Sequence, residues 1–305
     1  LDDTVDWIRY SGISWTRDGE GFFYTRYPEP PKAAGQTLSN ASLDPKVYYH
    51  RLGTPQTADV EIFSYPKERT WGVGAFVSED GRWLFATVGR GTDPENQLYV
   101  ADLGDPKKPN VRAPLVPVNT TLAASFSPVG VVGTTAYVLT NLDAPRYRVV
   151  AVDLARPGRA QWKTVIPESR HTLESATLVG GKLVAHRLVD VKSEVTIHDL
   201  AGAQVGTLPL PGIGALAGLS GREDSPELFF GFTSYTVPTT IFRHDLATGR
   251  TETFFKPDVP FDPSRFETRQ VFVTSKDGTR VPMFVTHRKG LVRDGSHPTM
   301  LYAYG

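Results

Sequence analysis

Short runs of alternating apolar and polar residues return along this chain at nearly fixed intervals, and each ends on the same pair of residues. Leu98-Tyr99-Val100-Ala101-Asp102-Leu103 is echoed by Val149-Val150-Ala151-Val152-Asp153-Leu154, by Val195-Thr196-Ile197-His198-Asp199-Leu200 and by Ile241-Phe242-Arg243-His244-Asp245-Leu246. A looser forerunner stands at Val47-Tyr48-Tyr49-His50-Arg51-Leu52, so the closing leucines are spaced by 51, 51, 46 and 46 residues. Repeats of that length mark a propeller or a solenoid.

The content of each repeat favours the propeller. A turn such as Leu246-Ala247-Thr248-Gly249-Arg250 follows the closing pair, and a second β-rich run, Thr251-Glu252-Thr253-Phe254-Phe255, comes after it. Two strand-compatible segments around a Gly-containing reversal make a hairpin. Upstream turns at Arg17-Asp18-Gly19-Glu20 and Glu79-Asp80-Gly81-Arg82 add a second hairpin per repeat. Four strands per repeat are one propeller blade. The apolar spacing of three and four that a helical solenoid needs is missing from these repeats.

Five repeats are predicted, over 1–70, 71–120, 121–170, 171–215 and 216–256. The first carries a long irregular insertion from Pro28 to Pro45, expected to be a lid-like or mobile excursion. Beyond Lys256 the pattern changes. Pro257, Pro260 and Pro263 form a linker that sustains neither helix nor central strand. A separate hairpin follows, Thr268 to Val273 and Val281 to Thr286 around Lys276-Asp277-Gly278-Thr279, and His297 to Gly305 reads as a buried strand ending at a glycine. The predicted division is a partial β-propeller over 1–256, then a linker and the start of a second domain over 257–305.

Composition narrows the function classes. Among 305 residues, 40% are hydrophobic and 22% charged, enough apolar surface for a core. Lys plus Arg and Asp plus Glu both number 33, with no basic stripe of the kind a nucleic-acid groove needs. No cysteine is present, which excludes disulfides, thiol nucleophiles and Cys-based zinc sites within this sequence. No apolar run approaches the roughly 20 residues of a membrane-spanning helix. Leu1-Asp2-Asp3-Thr4 does not resemble a signal peptide, and without an initiator Met the sequence is expected to be a processed chain or a piece of a longer one. Cytoplasm and periplasm both suit such a chain.

The candidate chemistry is sparse. A nucleophile on a G-x-S-x-G turn is not found, and Ser220 in Gly218-Leu219-Ser220-Gly221 lacks the spacing. His50, His198 and His244 recur two residues before the closing leucine, but equivalent positions in different blades are too dispersed for ligands about 2 Å from one ion. His171, His186, His287 and His297 show no metal-ligand spacing. Neither a metal nor a cofactor is expected. Asp102, Asp153, Asp199 and Asp245 are read as turn formers, and Trp15, Trp71, Trp83 and Trp162 as packing between blades.

Ser275-Lys276-Asp277-Gly278-Thr279, Val281-Pro282-Met283-Phe284, Gly295-Ser296-His297-Pro298 and Leu301-Tyr302-Ala303-Tyr304-Gly305 resemble the start of the hydrolase domain of prolyl oligopeptidases. Trp15-Thr16-Arg17-Asp18-Gly19, Tyr48-Tyr49-His50, Ser78-Glu79-Asp80-Gly81-Arg82, Asp93-Pro94 and Phe232-Thr233-Ser234 are similar to that family's propeller. The resemblance covers essentially the whole chain. It implies about five blades of a seven-bladed β-propeller over an α/β-hydrolase domain, with Ser, Asp and His beyond the sequence in hand. It also implies that Tyr304, before Gly305, donates its hydroxyl to an oxyanion hole.

The activity so implied is cleavage of short peptides after proline by a serine oligopeptidase, with the propeller as a size filter. The intact protein is expected to be a monomer that binds neither nucleic acid nor membrane. Two other readings stand beside it: a non-catalytic propeller that serves as a binding module, and a related oligopeptidase with preference for basic residues.

Overall fold

The computed structural model describes residues 3–29 and 42–303. Among them are five four-stranded antiparallel sheets, each a simple meander in chain order, and one two-stranded hairpin. Blade I holds β1 (Ile13–Trp15), β2 (Gly21–Arg26), β3 (Lys46–Arg51) and β4 (Val60–Ser64). Blade II holds β5 (Gly72–Val77), β6 (Trp83–Gly89), β7 (Asn96–Asp102) and β8 (Val116–Asn119). Blade III runs through β9 (Phe126–Val132), β10 (Thr135–Thr140), β11 (Arg148–Asp153) and β12 (Lys163–Ile166). Blade IV comprises β13 (Leu173–Val179), β14 (Lys182–Val189), β15 (Lys192–His198) and β16 (Gln204–Thr207). Blade V comprises β17 (Ala215–Gly221), β18 (Glu227–Thr233), β19 (Thr240–Asp245) and β20 (Thr251–Phe255). The hairpin is β21 (Phe266–Thr274) and β22 (Arg280–Arg288). Four of the five sheets fall within the repeats read from the sequence, and the fifth begins one residue early, at Ala215.

Alternation along each strand explains why the sheets stack face to face. On β6, Trp83 and Phe85 point one way and pack with Phe126, Val138 and Val150 of blade III. Leu84 and Val88 point the other way and pack with Phe23, Val47 and Tyr49 of blade I. Blade IV repeats the scheme, with Leu183 and Ala185 against Tyr137 and Val149 of blade III, and Val184 against Leu228, Phe230 and Phe232 of blade V. The core is thus four separate seams, one per junction, and each fully buried Leu, Val or Phe contributes about 1.5–3 kcal/mol. A strand apolar on both faces is what a central blade position demands.

The repeated Asp-Leu pair has a local cause. Oδ1 of Asp102, Asp153, Asp199 and Asp245 accepts the backbone N–H two residues on, at 2.9, 3.1, 3.0 and 2.8 Å. Each aspartate therefore starts the turn that reverses the chain into the outermost strand. In blades II, III and V the leucine after it donates its own N–H back to the turn between the first two strands: Leu103 to Arg82 O (2.7 Å), Leu154 to Thr134 O (2.8 Å) and Leu246 to Pro226 O (2.9 Å).

Three sequence expectations need correction or fall out of view. Residues 297–303 form no strand, and Met300, Leu301 and Tyr302 are exposed, because no other strand among the described residues lies alongside to pair with them. Trp15 packs on Phe22 within its own blade and is 45% exposed, so it fills no seam, whereas Trp83 does. Most of the Pro28–Pro45 insertion lies outside the described residues.

Candidate functional site

An up-and-down meander gives the ring two unlike ends. Turns between first and second strands gather at one end, and loops between second and third strands gather at the other. The chain leaves β20 at the second end, and the hairpin β21–β22 is fastened there.

The linker is short and locally fixed. Asp262 caps a single 3-10 turn, Pro263–Arg265, by accepting the Ser264 N–H at 3.0 Å, and the Phe261 and Phe266 rings lie 5.1 Å apart. Residues Phe266–Thr274 then pair along their full length with Arg280–Arg288. In the connecting turn, Asp277 accepts the Thr279 N–H at 3.0 Å and the Ser275 hydroxyl, and Gly278 takes φ 85°. The Ser275 hydroxyl, with the Thr279 groups behind it, holds the Asp277 carboxyl down at about 2.

Two contacts fasten this hairpin to the ring. Gln270 Nε2 donates to Asp190 O at 2.6 Å, and the Phe284 ring sits 5.8 Å from that of Tyr235. Asp190 belongs to the β14–β15 turn and Tyr235 to the β18–β19 loop, both at the same end of the ring. The β14–β15 turn is itself strained, since Asp190 and Val191 have φ of 49° and 57°, and a β-branched residue rarely adopts that region. Its exposed carbonyl is what Gln270 captures.

Tyr304, with Gly305, lies outside the described residues, so its hydroxyl is not located. Ser220 sits in β17 opposite Phe229, a strand position with no turn beneath it. The recurring histidines are each held within their own blade. His50 Nδ1 lies 2.7 Å from Asp59 Oδ1, His198 is bonded to Thr196 Oγ1 and Gly202 O, and His244 Nδ1 is 2.7 Å from Thr251 Oγ1. Burial holds the His244 imidazole below its ordinary value. Asp59 also accepts the Tyr24 hydroxyl at 2.5 Å, and burial followed by that carboxylate pushes the phenol up to about 12. These are structural ties within each blade.

The described residues hold no cluster of three or more His, Cys, Asp or Glu placed for a metal ion, and no helix long and apolar enough to cross a membrane. One charged group did escape the sequence reading. Glu79 and Glu223 occupy equivalent first turns of blades II and V, in the similar strings Glu79-Asp80 and Glu223-Asp224, and the fold brings them together at the far end of the ring.

Comparison with known proteins gives a consistent result. The model of the prolyl oligopeptidase N-terminal β-propeller domain matches residues 1–257. A prolyl endopeptidase of Elizabethkingia meningoseptica is 37% identical over 305 residues, covering 100% of this chain and 42% of the relative. The dual function macrocyclase-peptidase POPB of Amanita bisporigera is 32% identical over 312 residues, again covering 100% of this chain and 42% of its own length. Among solved structures, a prolyl endopeptidase studied for inter-domain dynamics in catalysis and specificity superposes with TM-score 0.82 at 38% identity, covering 95% of this chain and 40% of that one. Prolyl oligopeptidase B from Galerina marginata, bound to a 25mer macrocyclization substrate, gives TM-score 0.83 at 30% identity, covering 95% and 40%. The chain therefore spans about two-fifths of the length of the relatives it matches.

Proposed function

Because this chain belongs to the prolyl oligopeptidase family, we propose that the protein it comes from cleaves short peptides on the carboxyl side of proline. The observation that carries this reading is the passage of the chain from blade V, through a short linker, into a hairpin fastened to one end of the ring. That arrangement supports a propeller that caps the domain the hairpin begins. Residues 1–256 act as the propeller and 257–305 as the linker and first strands of the hydrolase domain.

In this scheme the ring admits extended peptides and turns away folded proteins, and a Ser activated by His, on the part of the protein beyond this chain, attacks the prolyl carbonyl. The chain's own contribution to the chemistry is Tyr304. Its phenol hydroxyl donates to the oxygen on which negative charge develops as the tetrahedral intermediate forms. A donor placed in advance acts mainly on the transition state, which is where charge appears. Support comes from the relatives named prolyl endopeptidases, which align along all of this chain.

The test is hydrolysis by the intact protein of two chromogenic peptides that differ only in proline or arginine at the cleaved bond. Turnover confined to the proline peptide is expected. Preference for arginine would replace the proposal with a related oligopeptidase of basic specificity, and no turnover of either would favour a binding module.

A further inference from the structure

The end of the ring away from the hairpin is closed by charged turns that meet across its axis. Glu79, between β5 and β6, accepts the Glu223 N–H at Oε2 (3.0 Å), although the two lie 144 residues apart. Its Oε1 stands 3.2 Å from Arg222 Nη2 as an ion pair. Glu223, between β17 and β18, in turn accepts the Val131 N–H of β9 at Oε1 (3.1 Å). Arg17 of the β1–β2 turn donates to Glu79 O at 3.2 Å, and Gly180 and Gly181 of the β13–β14 turn donate to Arg222 O and Glu223 O at 3.0 and 3.1 Å. First turns or first strands of all five blades are thus joined through two glutamates.

We propose that this junction is a proton-operated latch: with Glu223 protonated the turns of blades II, III and V are held together across the axis, and its ionisation loosens them. The surroundings explain why. Facing Glu223 are Glu79 and Asp80 from the β5–β6 turn, Arg17 from the β1–β2 turn, and Arg222 and Asp224 from its own turn. The β9 strand and the β13–β14 turn present no charged side chain. Arg222 pairs with Asp224 (Nε to Oδ1, 3.0 Å) and Glu79, and Arg17 donates to a carbonyl, and neither guanidinium forms an ion pair with Glu223.

Burial, reinforced by Glu79, Asp80 and Asp224 and opposed by the Val131 N–H, raises the Glu223 carboxyl to about 7. A folded value above the ordinary carboxylate range means that the folded junction binds the extra proton. Its stabilisation is fully present below about pH 4.5 and is lost as pH rises through about 7. The neighbouring backbone has no slack to absorb the repulsion. A Cβ built at Gly130 would already stand 2.8 Å from Glu223 Oε1.

The experiment is hydrogen exchange on the intact protein at pH 6 and pH 8, corrected for intrinsic rates and read at the Val131 and Glu223 amides. Protection should fall about tenfold on going to pH 8, while the β14 core amides hold theirs. Glu223→Gln should give equal protection at both pH values. Asp80→Asn removes a facing carboxylate and should move the midpoint of loosening to lower pH, which keeps the test open if the first variant fails to fold. Protection independent of pH in the parent, a pH response retained in Glu223→Gln, or amides unprotected throughout would each overturn the latch.

Discussion

Trp83 is where the seam model makes its sharpest numerical demand. The side chain is 2% exposed, lies among Phe85, Phe126, Val131 and Val138 at the junction of blades II and III, and donates Nε1–H to Gly133 O at 2.9 Å. It therefore joins blade II to the first turn of blade III by packing and by one hydrogen bond. Truncation to Ala removes both and leaves a cavity that the flanking sheets, pinned by their own ladders, cannot close, for a loss of about 3–5 kcal/mol. Trp83→Phe keeps most of the apolar volume and loses the donor, worth about 1 kcal/mol, with a comparable amount for the missing ring, so a loss near 2 kcal/mol is expected. Val205 of β16 is 54% exposed, and Val205→Ala should stay within about 0.5 kcal/mol. Urea unfolding followed by far-UV circular dichroism, which does not depend on the tryptophan signal, gives the three values. A Trp83→Ala loss below 1 kcal/mol, or a Val205→Ala loss equal to it, would refute seams as the source of stability.

Three further outcomes follow from local geometry. Gly202 combines φ of 95° with a Cβ position 2.0 Å from Val165 O, so Gly202→Ala should cost more than about 2 kcal/mol in chemical denaturation. Gly104→Ala, at φ 78° with open space around it, should cost only about 1 kcal/mol. Arg82 grips Asp102 with two hydrogen bonds of 3.0 and 2.7 Å and holds the Asp102 carboxyl below its usual range. The carboxylate's contribution is present above about pH 4 and is lost as pH falls through the lowered folded value. Asp102→Asn should thus cost under about 1 kcal/mol at pH 7 for so exposed a pair, read as a slightly lower melting temperature, and the difference should vanish as pH falls through that lowered value.

Much of the fold was legible because its determinants are local. The two-residue alternation of Trp83-Leu84-Phe85 and the aspartate that starts each outer turn lie within a few residues of the structure they dictate, so counting Asp-Leu pairs located the blades. What escaped depends on partners far along the chain. Met300 to Tyr302 has the composition of a buried strand, but an apolar run becomes a strand only when a neighbour supplies the other half of the ladder. Glu79 and Glu223 look like ordinary turn residues in sequence, and only the stacking of blades brings them together. Gln270, equally plain in sequence, acquires its role from a strained carbonyl in the β14–β15 turn.

The proposed function has this chain lead into the floor of a site where peptides are cut after proline, with Tyr304 at that floor. It is tested most directly by the steady-state kinetics of Tyr304→Phe in the intact protein on a proline-linked chromogenic peptide. The account predicts a fall in kcat of about 100-fold or more with KM little changed. An unchanged kcat would contradict it.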